Sequence, residues 1–337
     1  MTPRRKPSRD RLDALRLLTA AGAVLVAAVW AAGDLVGERH WTTTLLAYVP
    51  QHPFLVPSAL LLLASLARRR VWLALANTVV LAFGAFQLLG LSLASQDSAT
   101  EASLRVMTYN IHHGSMGIEA VARDIRRQNP DVVLLQECNA FRSWPDPMPR
   151  LAQLLPGYRA YPAGDEVAML CRLPVRSVAA WPLRDSGPRR IALSAVLSVG
   201  GRSLRVLNVH LMTSATGSSL ARSGRRAPDH LRQTARVRGE QLERVRQWVQ
   251  SGDGPCIVAG DFNTPPRGVF YRRMPARGLS DSFRKAGRGF GATYPSDIPL
   301  LRIDHIFTGK GVRALRTWVP RTHGSDHRPV VADLLLE

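Results

Sequence analysis

Three long apolar stretches near the amino terminus constrain this chain more than any other feature. Residues 17–33 carry no charge, residues 41–67 hold only His52 as an ionisable group, and residues 71–96 hold none. A helix needs about 20 mainly apolar residues to cross the hydrocarbon layer of a bilayer. The sequence therefore predicts a three-helix transmembrane region over residues 1–96, with spans at 15–35, 45–67 and 71–95.

The second predicted span is the least regular of the three. Pro50, Pro53 and Pro57 interrupt its first half, and proline removes a helical hydrogen bond and clashes with the preceding turn. We expect the spanning part to begin near Phe54 and to include a kink or a re-entrant turn.

The distribution of basic residues predicts the orientation of these spans. Six basic residues precede the first span and residues 68–70 are all arginine, whereas the loop between the first two spans holds Asp34, Glu38 and Arg39. Basic loops stay in the cytoplasm, so the sequence predicts a multi-pass protein of the cell membrane with everything after residue 96 outside the cytoplasm. The alternative is that the first span is a cleaved signal peptide, with small residues at 31–33, and this leaves the same domain outside.

A polar linker at 97–103 separates this region from a second domain at 104–337. The chain has a formal charge of +20 and a pI near 11.3, which favours polyanionic partners such as nucleic acid, anionic lipid or phosphorylated substrates without choosing among them. Its cysteines number three and share no regular spacing, so buried free thiols are expected rather than a disulfide framework.

Alternating strand and helix patterns fill the second domain. One helical face joins Ile118, Val121, Ala122 and Ile125, and another helix is marked by apolar residues at 242–249. Strand-like runs occur at 104–109, 132–135, 167–171, 177–181, 191–199, 204–209, 256–261, 303–307, 312–318 and 330–335. Strands outnumber helices, which favours a layered α/β sandwich over a barrel.

Polar side chains follow many of these strands. The run Cys256–Ala259 suits a buried strand, Gly260 lets the backbone turn, and Asp261 and Asn263 then point to one face in extended geometry. Comparable groups end the other strands: Asn110, Glu137, Asn208 with His210, Asp304 with His305, and Asp326 with His327. Any one of these is most simply a cap or a turn. Together they provide the ligands that a hard divalent cation prefers and the acids and bases that hydrolysis needs.

The order of these residues also resembles the endonuclease/exonuclease/phosphatase superfamily. The similar segments, covering about 104 to the end, are Thr108-Tyr109-Asn110-Ile111, Leu135-Gln136-Glu137, Asn208-Val209-His210-Leu211, Gly260-Asp261-Phe262-Asn263, Arg302-Ile303-Asp304-His305-Ile306 and Gly324-Ser325-Asp326-His327-Arg328-Pro329. The resemblance implies a four-layer α/β sandwich, in which two packed mixed sheets are flanked by helices. It also implies phosphoester hydrolysis dependent on Mg²⁺, with Mn²⁺ as a substitute.

The resemblance assigns the metal ligands to three positions. Glu137 would be the principal ligand of Mg²⁺, Asn110 would lie beside it, and Asp326 would contribute. A carboxylate is the group that draws Mg²⁺ away from part of its water shell.

It also assigns the catalytic roles. Asp261 would take a proton from the attacking water, and Asn263 would hold that water or a phosphate oxygen. His210 and His327 would bind the non-bridging oxygens as charge builds, and Asp304 would orient and charge His327. Phosphoryl transfer depends mainly on positioning and charge stabilisation, so no covalent nucleophile is needed.

Substrate contacts are predicted on other grounds. Asn208 precedes His210 by two residues, and Arg222, Arg225 and Arg226 belong to an arginine-rich stretch at 221–238 that lacks aromatic residues. We expect this stretch either to contact substrate phosphate or to be a solvated loop. His112 and His113 are interpreted as loop residues and His305 as a strand residue.

Together, the predicted spans and the resemblance lead us to expect a membrane-anchored, Mg²⁺-dependent phosphodiesterase that acts outside the cytoplasm on a lipid or other envelope-associated phosphoester. The segment Asn208-Val209-His210-Leu211 resembles the sphingomyelinase, inositol-phosphatase and deoxyribonuclease branches of the superfamily. The alternative is a membrane-tethered deoxyribonuclease, and a third interpretation is a non-catalytic member that only binds phosphate. The membrane and the phosphoester, whether lipid headgroup or nucleic acid, are the partners expected, without an obligate protein partner.

Overall fold

The computed structural model describes residues 9–97, 100–141, 143–164, 166–184, 190–213 and 223–337. The helices in these ranges are α1 (Arg9–Ala31), α2 (Trp41–Tyr48), α3 (Val56–Ala67), α4 (Val71–Gln87), α5 (Ile118–Gln128), α6 (Met148–Leu154), α7 (Ala227–Gln250), α8 (Gly268–Arg272) and α9 (Ser282–Ala286). Short 3₁₀ turns occur at Gly37–Arg39, His52–Leu55, His112–Gly114, Gly224–Arg226 and Pro275–Arg277, and a π turn at Ala32–Val36.

The strands follow the sequence pattern closely. They are β1 (Ser92–Leu93), β2 (Leu104–Asn110), β3 (Val132–Gln136), β4 (Arg159–Ala163), β5 (Val167–Cys171), β6 (Val175–Pro182), β7 (Ile191–Val199), β8 (Arg202–His210), β9 (Cys256–Asp261), β10 (Ser280–Asp281), β11 (Arg288–Gly289), β12 (Asp304–Thr308), β13 (Val312–Trp318) and β14 (Val330–Leu336). The sequence pattern missed β4 and the two-residue strands, which carry too few alternating residues to be recognised.

Two six-stranded mixed sheets form the body of the domain. One has the order β10-β12-β9-β8-β7-β6 and the other β13-β14-β2-β3-β5-β4. Near the centre of each sheet one pair of strands is parallel, β8 with β9 and β2 with β3, and the other pairs are antiparallel. The carboxyl ends of these four strands therefore lie at neighbouring edges of the two sheets.

Side-chain alternation explains the layers. Alternate residues of β2, β3, β8 and β9 form one apolar core between the sheets, and the intervening residues pack on helices outside them. On one side, Met107 and Tyr109 lie under α5 and α6. On the other, Leu207 and Val209 lie under α7. The predicted four-layer sandwich is confirmed.

The amino-terminal region differs from the prediction of three complete spans. Within the described residues, one continuous helical stretch, Ala14–Arg39, is long and apolar enough to cross a membrane. The pair Trp41–Tyr48 and His52–Ala67 is bent by 84° and qualifies only if it counts as one broken span, which agrees with the break predicted at the prolines. The third helix is only 17 residues long. It stops before the apolar run does, since Gly90 adopts φ 72° and turns the chain out of the helix.

The amino-terminal helices dock directly on the second domain. The Tyr48 hydroxyl and the Arg238 guanidinium both donate to the carbonyl of Asn263, each at 2.8 Å. The Arg267 guanidinium donates to the carbonyls of Ala47, Leu88 and Val49 at the carboxyl ends of α2 and α4. The helices are therefore bonded to the segment that directly follows Asp261.

Acidic side chains strengthen the same junction. Asp34 accepts the N–H of Gly268 at 3.0 Å, and Glu38 accepts that of Val269 at 2.9 Å. These N–H groups begin α8 and have no partner within that helix. Carboxylates from the amino-terminal region thus cap a helix of the second domain.

The cysteines are free and buried, as expected. Cys138, Cys171 and Cys256 lie in apolar surroundings, and burial raises the pKa of the Cys138 thiol to about 12. We infer that these thiols have packing roles rather than chemical ones.

Candidate active site

The period of two along each strand brings the predicted residues together. The inner faces of β2, β8 and β9 are apolar up to Val106, Val206 and Ala259. Continuing the alternation places Asn110, His210 and Asp261 on the same inner face, at the carboxyl ends of the strands. Asp304 pairs with Asp261 across β12 and β9. The site therefore occupies the open edge between the two sheets.

Gly260 is required at this edge. Its φ is 147°, and a Cβ there would lie 1.9 Å from the carbonyl oxygen of Val209. Only glycine lets β9 approach β8 this closely while it turns Asp261 into the cleft.

Asn110 joins the two carboxylates of the site. Its Nδ2 donates to Glu137 Oε1 at 3.2 Å and to Asp261 Oδ2 at 3.1 Å, and its Oδ1 accepts the N–H of His112 at 3.0 Å. Burial, followed by the neighbouring Asp304 carboxylate, raises the pKa of Asp261. Burial opposes the ionisation of Glu137, but His210 and the Asn110 amide outweigh it and lower the pKa of Glu137. The two carboxylates thus differ in character, one more basic than usual and one readily ionised.

Asp304 and His327 form a buried pair. His327 Nδ1 lies 2.9 Å from Asp304 Oδ2, and the ring of Tyr294 packs on the imidazole at 4.8 Å. Burial alone would lower the pKa of His327, but the carboxylates of Asp304, Asp261 and Asp326 raise it to about 10. His327 is therefore a cation at neutral pH, with Nε2–H as its second donor.

Glu166 provides a second carboxylate–histidine pair that the sequence analysis missed. Its Oε2 lies 3.2 Å from His210 Nδ1 and 3.7 Å from Arg190 Nε. Burial opposes ionisation, but His210 and Arg190 outweigh it and hold the pKa of Glu166 at about 2. On its other side, His210 Nε2 lies 3.7 Å from both Glu137 Oε1 and Asp261 Oδ2. The Glu166 carboxylate thus lies within ion-pair distance of the imidazole.

Among the described residues, two arrangements of side chains in this cleft could hold a cation. The tightest is Asp261, Asp304 and His327, whose ligand atoms lie within 4.8 Å of one another. However, His327 is protonated at neutral pH and already bonded to Asp304, and an imidazolium has no lone pair to offer a metal. Glu137 is ionised and its side chain is 24% exposed. An oxygen-rich donor set around Glu137 would suit a hard divalent metal, and a cation at Glu137 stays a prediction.

The remaining predicted ligands and catalytic groups lie around this centre. Asp326 is half-buried, and its Oδ1 lies 3.6 Å from His112 Nδ1. Asn263 has φ 46°. Its backbone N–H donates to Asp261 Oδ1 at 2.8 Å, and its side-chain Nδ2 donates to the carbonyl of Leu211 at 3.1 Å. Its backbone thus fixes the Asp261 carboxylate.

Asn208 does not face the cleft, contrary to its predicted contact with substrate. It is fully buried, and its Nδ2 donates to the carbonyls of Leu135 and Ala168 on the opposite sheet, both at 2.9 Å. Its Oδ1 accepts from Gln136 at 2.6 Å. Asn208 therefore bonds the two sheets to each other behind the site.

The arginine-rich stretch is not a loop throughout. From Ala227 onward the stretch belongs to the long helix α7 (Ala227–Gln250). Arg238, at the end of the stretch, is fully buried. Arg225 and Arg226 lie in the exposed 3₁₀ turn before that helix, and Arg222 lies outside the described residues. Contact of Arg225 and Arg226 with substrate stays a prediction.

His112 and His113 are more than solvated loop residues. His113 Nε2 lies 3.3 Å from Glu137 Oε2, and its ring stacks on Phe141 at 4.6 Å. Both histidines have positive φ, 44° and 57°, a strained geometry that tends to occur at functional sites. His305, as expected, is a buried strand residue, with Nε2 2.8 Å from the carbonyl of Thr264.

Comparison with known proteins supports this description. A model described as the Endonuclease/Exonuclease/phosphatase family matches residues 107–327. The curated protein named Uncharacterized protein YbhP, from Escherichia coli (strain K12), is 27% identical over 274 residues, covering 71% of this chain and 99% of the relative.

Solved structures share the fold. A mannosyl-6-phosphatase of Bacteroides thetaiotaomicron has a TM-score of 0.53 at 19% identity, covering 69% of this chain and 100% of that one. D. rerio TDP2, complexed with single strand DNA product, has a TM-score of 0.54 at 18% identity, covering 68% of this chain and 98% of that one.

Proposed function

The chain belongs to the endonuclease/exonuclease/phosphatase family and is a metal-dependent hydrolase of phosphoester bonds, and from this premise we propose a more specific function. It is a membrane-anchored, Mg²⁺-dependent phosphodiesterase that acts outside the cytoplasm on a lipid or another envelope-associated phosphoester. The observation that carries the proposal is the bond from Tyr48 to the Asn263 carbonyl, because it brings the predicted membrane region within two residues of Asp261.

The residues of the cleft divide the chemistry among them. Asp261 takes the proton of the attacking water, for which its raised pKa suits it. His327 and His210 donate to the non-bridging phosphate oxygens, where charge increases as the ester bond breaks. Asp304 keeps His327 charged, and Glu166 orients His210.

A cation fits beside these residues. Glu137, whose side chain is 24% exposed, would hold it, with Asn110 and Asp326 contributing oxygen atoms that suit a hard divalent cation. When bound, Mg²⁺ would neutralise negative charge on the phosphate and polarise the phosphorus.

Packing of the amino-terminal helices supports membrane insertion. Their interior holds small and polar residues, and Asn77 Nδ2 donates to Thr19 Oγ1 at 3.1 Å in a buried position. Their outer surface exposes large apolar side chains, among them Leu17, Val24, Leu60, Leu63, Trp72, Leu75 and Val79. Such an arrangement is unfavourable in water but suits lipid, where helices pack through small and polar residues.

The orientation has support as well. Asp34 and Glu38 contact the catalytic domain, whereas residues 68–70 directly precede α4, whose length from Val71 to Gln87 is about 25 Å at 1.5 Å per residue. The loop that holds Asp34 and Glu38 thus lies with the catalytic domain at one end of the helices, and the arginines at 68–70 lie at the other end. The proposed topology requires this arrangement.

The topology can be tested by protease protection in bacterial spheroplasts expressing the full chain with a tag at each end. External protease is expected to remove the carboxyl-terminal tag and to spare the amino-terminal tag until the cells are lysed. Protection of both tags before lysis would contradict an extracytoplasmic catalytic domain.

Metal dependence and substrate class can be tested together. Full-length protein in detergent, assayed against anionic phospholipid, sphingomyelin, inositol phosphates and DNA, is expected to hydrolyse a lipid phosphoester with Mg²⁺ and to lose activity in EDTA. Glu137→Gln should raise the Mg²⁺ concentration needed for half-maximal activity by about tenfold or more, because it removes the charged ligand. The matched control is Glu119→Gln, at a side chain that is 51% exposed.

The outcomes separate the candidates. Activity that persists in EDTA, or an unchanged Mg²⁺ requirement in Glu137→Gln, would refute the metal assignment. Cleavage of DNA alone, falling steeply with salt, would favour the second candidate, a membrane-tethered deoxyribonuclease. The net charge of +20 keeps that candidate open.

A further inference from the structure

A cavity of about 530 Å³ lies where the amino-terminal helices meet the catalytic domain. Its lining from the amino-terminal region includes the apolar side chains of Trp30, Phe86 and Leu91, together with the polar residues Asp34, Gln87 and Ser92. Its lining from the catalytic domain includes four arginines, at 267, 272, 284 and 302. None of the catalytic residues described above lines it, and its volume is typical of a small-molecule site.

Positive charge exceeds negative charge in this cavity. Arg302 pairs with Asp281 at 2.6 Å, and Arg272 pairs with Asp34 at 3.4 Å. Arg267 donates only to backbone carbonyls, and burial lowers the pKa of its guanidinium to about 10. Arg284 is exposed. Arg284 forms no ion pair within the described part of the chain, and Arg267 interacts with the carboxylates of Asp34 and Glu38 without a direct ion pair to either.

Buried donors without acceptors line the same cavity. Arg302 is 3% exposed, and its Nε and Nη2 have no hydrogen-bond partner among the described residues. The indole Nε1 of Trp30 is likewise buried and unpartnered. Buried donors without acceptors at this position favour a ligand rich in acceptor oxygens.

We infer that this cavity binds the phosphate-bearing headgroup of an anionic glycerophospholipid, at a site separate from the catalytic cleft. The arginines would contact the phosphate, and the acyl chains would leave along Trp30 and Phe86. The inference rests on the proposed membrane anchoring, which would put this junction at the bilayer surface, where tryptophan and arginine commonly meet headgroups.

The same phosphate chemistry could be offered by a free ion. Inorganic phosphate would accept hydrogen bonds from the arginines, but it would leave the apolar side chains of Trp30, Phe86 and Leu91 in contact with water. Burial of these side chains against acyl chains removes apolar surface from water, which favours the lipid. The two sources therefore predict different competition in a binding experiment.

The experiment uses the full chain carrying Asp261→Asn, so that bound lipid is not hydrolysed and no conclusion depends on turnover. Delipidated protein in detergent is titrated with phosphatidylglycerol or phosphatidylcholine and followed by native mass spectrometry. We expect phosphatidylglycerol to bind at least about tenfold more tightly than phosphatidylcholine, a difference of about 1.4 kcal/mol. The added change Arg272→Gln/Arg284→Gln should remove that preference.

The control is the matched pair Arg123→Gln/Arg127→Gln on α5, which lies on the far sheet. Unaltered phosphatidylglycerol binding in this control, with loss in the cavity variant, supports the inference. Equal binding of the two lipids, or full retention in the cavity variant, would overturn it. Complete competition by millimolar inorganic phosphate would assign the site to the free ion and refute the lipid.

Discussion

Replacing Asp261 with asparagine is expected to lower the kcat for a phosphodiester by about 10³-fold, the range in which general bases act. Asp261 is 1% exposed, and burial with the nearby Asp304 raises the pKa of its carboxyl. Asparagine preserves the shape and the bond from the N–H of Asn263, but it cannot accept the proton of water. The loss should therefore fall on kcat, with KM nearly unchanged.

Steady-state kinetics of the full-length protein would check this, with Asp253→Asn as the control at an exposed loop position. Thermal unfolding should show that the folded state of Asp261→Asn is retained. Its free energy of unfolding should increase, because the native site no longer confines two neighbouring carboxylates. Turnover within a few fold of the unchanged protein would refute the role of Asp261.

Replacing Asp304 with asparagine should change the pH dependence of hydrolysis. In the unchanged protein the pKa of His327 is about 10, so the imidazolium persists across the neutral range. Without Asp304 that pKa should fall toward the ordinary value of about 6.5. At pH 8.5 only about 1% of His327 would then be charged. Activity should fall by about 10²-fold more at pH 8.5 than at pH 6.

The free energy of unfolding should also depend on the protonation of His327. Because the folded pKa of His327 lies above the unfolded one, its contribution is complete below about pH 6.5 and is lost as the pH rises toward 10. The difference in Tm between the unchanged protein and Asp304→Asn should therefore be largest near pH 6 and should decrease as the pH rises toward 10. An unchanged alkaline limb in the pH profile of kcat/KM would contradict the role of Asp304 in keeping His327 charged. The control is Asp229→Asn, at the exposed start of α7.

Strand periodicity explains why much of the site could be predicted from sequence. Asn110, His210 and Asp261 each continue an inner face that is apolar for several residues, so a break in hydrophobicity marks the position. Glu166 gave no such signal. It lies in the turn before β5, and its partner His210 is brought to it only by the packing of the two sheets.

The arginine-rich stretch shows the opposite limit. Its charge indicated a solvent-exposed or phosphate-binding segment, yet Arg238 is fully buried. Its guanidinium lies over the rings of Tyr48 and Phe270 at 4.8 and 5.6 Å. Tyr48 precedes it by 190 residues, so no local pattern could reveal this partner. Helical periodicity was readable only in the apolar part of α7, at 242–249.

The bond from Tyr48 to Asn263 joins residues that are 215 positions apart, and this separation has a consequence for biogenesis. The ribosome makes the helices first and β9 much later, so the turn after Asp261 acquires its partners only once the finished domain returns to the helices. Arg238, buried at the same contact, would otherwise be a cation without its partners, which is costly. Formation of the complete catalytic turn is thus coupled to docking of the domain on the amino-terminal helices, and a chain in which that step had not occurred would carry the turn without these partners.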